Sequence, residues 1–154
     1  MSWPMVTWSS FASMSSPTSR LHGVTVLVDD YDEAIAHFVG DLGFHLVEDT
    51  NLGGGKRWVR VAPDPEGGPA LLLAVASTAE QRAAIGRQAG GRVGFFLHTT
   101  DFAAQHARLV ERGVRMTEEP RVEAYGTVVV FEDRYGNRWD LIQPVGGHGG
   151  HGGR

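Results

Sequence analysis

The apolar positions of this chain change their spacing in an ordered way. Residues 24–28 form a β-rich run, which predicts a strand. Asp30 follows as a plausible helix N-cap. Apolar residues then recur at helical spacing at Ala34, Ile35 and Phe38. The pattern therefore predicts a strand followed by a helix over 31–39, which the next glycines would end.

The same order returns in the second half of the chain. Residues 93–97 form another apolar run, and Asp101, which lies 71 residues after Asp30, caps a predicted helix that reaches 112. Three strands are predicted after each helix, at 44–48, 56–62 and 69–75 in the first half and at 114–117, 127–132 and 138–143 in the second. Each half is therefore predicted to be a βαβββ module, and the duplication predicts an α+β fold.

The turns before the last strands repeat as well. Asp64 and Gly67 in the first half, like Asp133 and Gly136 in the second, place an Asp and a Gly three residues apart. The two turns are offset by 69 residues, and we use this offset as the register for comparing the halves. A short amphipathic segment at 78–87 predicts a helix that links the modules.

The ends of the chain lack this periodicity. The N-terminal residues are rich in Ser, Met, Thr and Trp, and the C-terminal residues are almost entirely Gly and His, which leaves nothing to preorganise metal ligands. We predict a flexible leader at 1–19, a domain at 20–145 and a disordered tail at 146–154. Within the domain, module one spans 20–76, the linker helix 77–90 and module two 91–145.

Composition narrows the function classes. The chain has 154 residues, of which 42% are hydrophobic, and this suffices for one sizeable core. A net charge of −4 with no basic stripe argues against nucleic acid and anionic membranes as partners. The absence of cysteine excludes disulfides and thiolate chemistry. With no recognisable signal peptide or long apolar run, the protein is expected to be cytoplasmic.

Three segments resemble a known family. They are Val28-Asp-Asp-Tyr-Asp-Glu-Ala-Ile35, Leu42-Gly-Phe44 and Phe131-Glu-Asp-Arg-Tyr-Gly-Asn-Arg-Trp-Asp-Leu-Ile142. In this order, within a duplicated βαβββ pattern, they resemble the vicinal-oxygen-chelate superfamily of glyoxalases, bleomycin resistance proteins and extradiol dioxygenases. The resemblance implies that the modules form a curved mixed sheet around a pocket. It often implies a homodimer as well.

Metal-dependent members of that superfamily place one ligand on the first and one on the last strand of each module. Counting from the caps and the turns, these positions fall on Gly23, Gly94, Leu71 and Asp140. Of these four residues only Asp140 can coordinate a metal, and one carboxylate does not hold a divalent ion against water. His22 would join it only if a bulge turned its imidazole inward. We therefore expect no cofactor, with Asp140 and His22 as the candidate ligands if a divalent metal binds.

Strand alternation indicates which side chains face the implied pocket. If Gly94 points inward, Phe96 and His98 do too, and Asp140 brings Arg138 to the same face. Tyr125 and Glu123 precede a strand where relatives often place a loop over the pocket. The expected apolar wall consists of Leu27, Leu71, Leu73, Phe96 and Ile142. The predicted ligand-binding residues are His98, Asp140, Arg138, Phe96, Leu71, Trp58, Tyr125 and Glu123.

Several of these residues also have ordinary structural interpretations. Asp140 would form a salt bridge with Arg138 or Arg57, and His98 would be a half-exposed residue at a strand end. Trp58 would simply pack, although it shares a strand face with Arg60. On the opposite faces, Trp139 and Leu141 are expected in the core, whereas His37 and His106, both on predicted helices, are expected to be solvated.

Two functions from different classes are compatible with this pattern. The first is a protein that binds a small apolar or aromatic compound between the modules, as bleomycin resistance proteins do, without a complete metal site. The second is a metal-dependent lyase, isomerase or dioxygenase of the glyoxalase-like group that uses Asp140 with His22 or His98. A non-catalytic dimeric scaffold would leave the inward polar groups unexplained. The missing ligands favour the first function.

Overall fold

The computed structural model describes residues 16–146, so the predicted leader up to residue 15 and the predicted tail from residue 147 lie outside the described residues. The first half forms one sheet in the order β1-β4-β3-β2, in which β1 and β4 are parallel and the other neighbours antiparallel. Its elements are β1 (Gly23–Val28), α1 (Tyr31–Ile35), a π-helical segment (Ala36–Asp41), β2 (His45–Gly53), β3 (Lys56–Ala62) and β4 (Ala70–Val75).

The second half repeats this plan in a second sheet. Its order is β5-β9-β8-β6, with the short strand β7 also paired to β8. Its elements are β5 (Val93–His98), α3 (Phe102–Glu111), β6 (Arg115–Met116), β7 (Arg121–Glu123), β8 (Gly126–Glu132) and β9 (Arg138–Pro144), and α2 (Ala79–Ala84) links the halves. The predicted α+β fold of two βαβββ modules is confirmed.

Both predicted N-caps are present. An Asp30 carboxylate oxygen accepts a hydrogen bond from the Glu33 N–H at 2.8 Å, and Asp101 accepts one from the Ala104 N–H at 3.0 Å. Each carboxylate satisfies a backbone donor that the first helical turn leaves free. After α1 the chain does not continue as the predicted helix to 39. It widens into the π-helical segment, in which the Leu42 N–H reaches the His37 carbonyl at 3.1 Å.

The two duplicated turns also have the same geometry. The Asp64 carbonyl accepts from the Gly67 N–H at 3.3 Å, and the Asp133 carbonyl accepts from the Gly136 N–H at 3.0 Å. In module two the buried Asp133 side chain also accepts from the Trp139 indole N–H at 3.0 Å. This carboxylate therefore ties the turn to the core.

The helix-bearing faces of both sheets share one hydrophobic core. Trp139 lies at its centre, stacked on Phe95 with a centroid distance of 4.4 Å, and it contacts Phe38 and Phe44 of module one. Burial of each such large side chain contributes roughly 1.5–3 kcal/mol. Trp139 and Leu141 are core residues, as predicted. The modules are therefore joined through their helix-bearing sides.

His37 lies at this junction, and the prediction that it is solvated is wrong. Its side chain is buried, and Nδ1 lies 2.9 Å from an Asp41 carboxylate oxygen. Its Nε2 accepts a hydrogen bond from the Arg134 N–H of module two at 3.0 Å. Both ring nitrogens are used, so the imidazole bridges the modules. His106 is half-buried and stacks on Phe102.

The linker is fixed to both modules. The Gln88 side-chain amide donates to the Thr25 carbonyl at 2.9 Å and accepts from the Leu27 N–H at 2.8 Å, so it covers part of the open edge of β1. Gly86 lies against module two with a positive φ of 77°, and a Cβ atom there would stand 1.9 Å from the Tyr135 carbonyl oxygen. Only glycine fits this approach without a backbone shift.

Candidate functional site

Each sheet has a face that points away from the helices. On the second sheet, strand pairing places Asp140 between Phe96 and Val130, and Ile142 between His98 and Val128. Arg138 lies on the same side of β9 because strand side chains alternate. We call this surface the second outer face and define it by Phe96, His98, Arg138, Asp140 and Ile142. These residues share a face, as the alternation predicted.

Asp140 is the central charged residue of the second outer face. Its Oδ1 is buried and has no hydrogen-bond partner among the described residues, although the side chain as a whole is partly exposed. Burial raises the pKa of this carboxyl group above its usual 3.8, and Glu118 adds to the rise, whereas Arg121 and Arg138 oppose it. A half-buried carboxylate without a donor is therefore present on an otherwise largely apolar face.

Arg121 stands near Asp140 but is occupied by other carboxylates. Its guanidinium donates to Glu123 at 2.6 Å and to Glu118 at 3.0 Å. Glu123, the Tyr125 hydroxyl and Glu118 raise the pKa of Arg121. Sequence reasoning missed Arg121 and Glu118 because β7 has only three residues, too few for a period-two pattern.

The expected salt bridge of Asp140 is absent from the described part of the chain. Arg57 instead pairs with Asp49 at 2.7 Å and with Asp32 at 2.9 Å, near the N-terminus of α1. The Nε atom of Arg138 is buried and, like Asp140 Oδ1, has no hydrogen-bond partner. The purely structural interpretation of Asp140 as an ion-pair partner is therefore wrong.

Exposed side chains surround this carboxylate. Phe96 is 64% exposed although it is a large apolar residue in the middle of a strand. His98 is exposed at the end of β5, and Tyr125 is 54% exposed in the turn between β7 and β8. Exposed aromatic residues beside a polar handle are typical of a surface that binds a partner or a ligand.

The outward side of the first sheet carries a second cluster. Trp58 donates its indole N–H to Glu48 at 3.0 Å, and Arg60 donates to the same carboxylate oxygen at 3.2 Å. Pairing places Leu72 between Arg60 and Thr25. We call this surface the first outer face and define it by Thr25, Leu27, Trp58, Arg60 and Leu72. Trp58 is 38% exposed, so its ring remains partly open to contact.

The register predicted for Leu71 is wrong by one residue. Leu71 pairs with Val61 and lies with Leu73 in the core, on the helix-bearing face. Leu72 is the residue of module one that corresponds to Asp140. Its β1 partner Thr25 precedes the cap Asp30 by five residues, as Phe96, the β5 partner of Asp140, precedes the cap Asp101. The duplicated turns are offset by 69 residues, but module one has one additional residue between its turn and the paired part of its last strand.

The positions implied for metal ligands do not fit a metal. A Cβ atom on Gly23 would lie 2.5 Å from the Ala70 carbonyl oxygen, and one on Gly94 would lie 3.0 Å from the Ala89 side chain. The corresponding residue of β4 is Leu72. His22 precedes β1 and is exposed. Between residues 16 and 146, no group of three or more His, Asp or Glu side chains comes together in a way that could hold a metal ion.

Two cavities lie away from the outer faces or at their border. A polar cleft of about 430 Å³ is lined by His37, Asp41, Arg112, Arg134 and neighbouring residues. The His37–Asp41 pair there resembles a catalytic dyad, but the Arg134 N–H occupies Nε2, so the imidazole is not free to accept a proton from a substrate. An apolar cavity of about 150 Å³ lies between the modules and borders Phe96, Leu71 and Gly23.

A family model of the Glyoxalase/Bleomycin resistance protein/Dioxygenase superfamily matches residues 20–141, which span both modules. The chain belongs to this superfamily. A curated relative, an uncharacterized protein of Shewanella frigidimarina (strain NCIMB 400), is 50% identical over 121 residues, which cover 78% of this chain and 90% of the relative.

Solved structures of the superfamily show the same fold. UcmS2 is 30% identical with a TM-score of 0.70, and the match covers 82% of this chain and 98% of UcmS2. TnmS3, an antibiotic binding protein from Streptomyces sp. CB03234, is 31% identical with a TM-score of 0.69, and the match covers 84% of this chain and 99% of TnmS3.

The part of the chain from 16 to 146 contains no helix long and apolar enough to cross a membrane.

Proposed function

We propose that this superfamily member binds a small aromatic compound, without a metal ion, between the first outer face of one copy and the second outer face of another. The observation that carries the proposal is the exposure of Phe96 beside an unpartnered carboxylate on the second outer face. The similarity to TnmS3, an antibiotic binding protein, supports a small-molecule ligand.

The need for a second copy follows from how the modules are joined. The Gln105 side chain donates to the Leu42 carbonyl, Arg108 donates to the Gly40 carbonyl, and Arg134 donates to Glu33, and each of these contacts involves a residue of α1 or α3. The modules therefore use their helix-bearing sides to hold each other. The outer faces remain open, and a symmetric dimer would bring each first outer face against a second outer face of its partner.

The two faces supply different parts of the expected pocket. The first contributes Trp58 and the apolar Leu27 and Leu72, and its Arg60 is held by Glu48. The second contributes Phe96 and the polar group Asp140. Ligand sites typically combine such apolar walls with a few oriented polar groups.

The proposal is tested with acridine, a planar heterocycle that has no hydrogen-bond donor. Calorimetric titration of the full chain should show binding, and Trp58→Ala and Phe96→Ala should each weaken it by about tenfold because each removes a ring wall. Val110→Ala is the matched control, since Val110 is 52% exposed on α3 and outside both faces. Binding that neither aromatic substitution weakens would contradict the proposed site.

A second candidate is a metal-dependent lyase, isomerase or dioxygenase, and one observation favours it. Asp140 lacks a protein partner and lies on the same face as His98, as a ligand pair would require. Metal analysis of protein purified without a nickel column and without the residues after 146 distinguishes the two candidates. One transition-metal ion per chain would favour the enzyme, and its absence would favour the binding protein.

A further inference from the structure

The charged groups on and near the second outer face differ in whether they have hydrogen-bond or ion-pair partners. Arg121 donates to Glu118 and Glu123, and the Glu118 carboxylate also accepts from the Val130 N–H at 3.0 Å. Glu132 lies 3.7 Å from Arg115 at the sheet edge. Among the described residues of this face, Asp140 is the carboxylate whose buried oxygen has no donor. Its nearest partners across the sheet, Phe96 and Val130, are apolar and offer none.

We propose that the bound compound is a planar aromatic molecule that carries a hydrogen-bond-donating amino or hydroxyl group, and that this group donates to Asp140. The inference rests on the proposed function and specifies the ligand class of the same site. A donor from the ligand would offset the cost of a half-buried carboxylate, and a bond to a charged acceptor is about twice as strong as a neutral one.

The position of Phe96 defines how such a molecule lies. Phe96 pairs directly with Asp140 across β5 and β9, and side chains in that relation stand about 5 Å apart. A ring stacked on Phe96 therefore places its edge substituent beside the carboxylate. Arg138 lies two residues along β9 on the same face, about 7 Å away by the strand repeat. Its guanidinium carries N–H donors for an acceptor elsewhere on the ring system.

The same arrangement disfavours an anionic ligand. A carboxylate on the ring would face Asp140, and like charges in a partly dry site repel each other. The positive charge of Arg121 is already neutralised by Glu118 and Glu123. Arg138 lies about 7 Å from Asp140 along β9, too far to compensate for the repulsion of a substituent that stands beside the carboxylate. The net charge of −4 adds a weaker, long-range repulsion of anions.

Three matched tricyclic probes test the inference by calorimetric titration at pH 7.5. They are 9-aminoacridine, which donates hydrogen bonds and is cationic, acridine, which has no donor, and 9-anthracenecarboxylate, which is anionic. We expect the Kd of 9-aminoacridine to be about tenfold lower than that of acridine. A tenfold ratio corresponds to about 1.4 kcal/mol, close to the contribution of one hydrogen bond to a charged group. Binding of 9-anthracenecarboxylate should be the weakest.

The variant Asp140→Asn tests whether Asp140 causes the preference for 9-aminoacridine over acridine. It should remove most of the advantage of 9-aminoacridine and leave the Kd of acridine within about twofold, because the shape of the side chain is kept. Asp32→Asn, the same charge change at an 81% exposed side chain on α1, should leave all three affinities unchanged. Circular dichroism confirms that both variants fold.

The outcomes separate this inference from the function on which it rests. If 9-anthracenecarboxylate binds as tightly as 9-aminoacridine, or if Asp140→Asn weakens acridine and 9-aminoacridine equally, the ligand class is wrong and the binding function stands. If none of the three probes binds, the proposed function fails and the ligand class fails with it.

Discussion

Asp140 is the central residue of the proposed site, because it combines partial burial with a missing hydrogen-bond donor. Two arginines stand near it, yet Arg121 is engaged by two glutamates and Arg138 leaves a buried nitrogen unused. A carboxylate kept in this state costs stability in the free protein. Such costs are typical of residues that are retained for binding or catalysis.

The raised pKa of Asp140 has a consequence for stability. Burial raises this pKa above 3.8, so the folded state binds the proton more readily than the unfolded state. The contribution of Asp140 to stability therefore falls as the pH rises through the interval between the unfolded and the folded pKa. Asp140→Asn, which carries no charge, should raise the melting temperature at pH 7, and the gain should shrink as the pH falls toward 3.8, the unfolded pKa.

Thermal denaturation of both proteins between pH 3 and pH 8 measures this difference. Asp32→Asn removes an ion-paired carboxylate on the surface and should change stability by no more than about 0.5 kcal/mol. A melting temperature that Asp140→Asn lowers at pH 7 would show that the carboxylate has a stabilising partner.

At the scale of elements, the linker after α2 determines how closely the modules approach. Gly86 and Gly90 both have positive φ, at 77° and 66°, but only Gly86 touches module two. Substitution by alanine therefore strains the backbone at both positions. At Gly86, but not at Gly90, the added Cβ atom also clashes with the Tyr135 carbonyl. We expect Gly90→Ala to cost about 1 kcal/mol and Gly86→Ala about 3 kcal/mol or more.

Denaturant unfolding of the two variants checks the contact between linker and module. The difference between them isolates the clash, since the φ penalty is common to both. Equal destabilisation would mean that the linker does not rest against the 133–136 turn as described.

The elements also show why the sequence predicted one strand face correctly and another incorrectly. Helix caps and turns are local signals, and Asp30, Asp101 and Asp133 occupy the predicted roles. On β5 and β9 the alternation therefore gave the correct face. On β4 the loop through Gly68 and Pro69 adds one residue that no local pattern marks, and a shift of one residue exchanges the two faces of a strand. The predicted outward-facing position therefore fell on Leu71 instead of Leu72.

Several contacts in and around the candidate site cannot be predicted from the spacing of residues along the sequence. Arg121 lies on a three-residue strand and pairs with a glutamate on each side, and Glu48 joins Trp58 to Arg60 from a neighbouring strand. His37 is buried because a turn of the other module reaches it, 97 residues away in sequence. Such long-range pairings follow from the packing of modules and not from periodicity.

At the scale of the whole molecule, the two modules hold each other through their helix-bearing sides and leave both outer faces open. In the proposed function, one chain therefore contributes two half-sites, one on each outer face. A partner copy would complete both of them at once, which gives two equivalent pockets per dimer. The central claim is that each pocket takes Trp58 from one copy and Phe96 from the other.

Mixing two variants that each bind about tenfold more weakly tests this claim most directly. Trp58→Ala and Phe96→Ala are prepared separately, each is shown by sedimentation to form dimers, and the two are mixed, allowed to exchange subunits and titrated with acridine. A shared pocket predicts that the mixture regains about one quarter of the wild-type sites, because each mixed dimer contains one intact and one doubly altered pocket. A mixture that exchanges subunits but binds no better than either variant would contradict the account, since a pocket within one chain is altered in every copy.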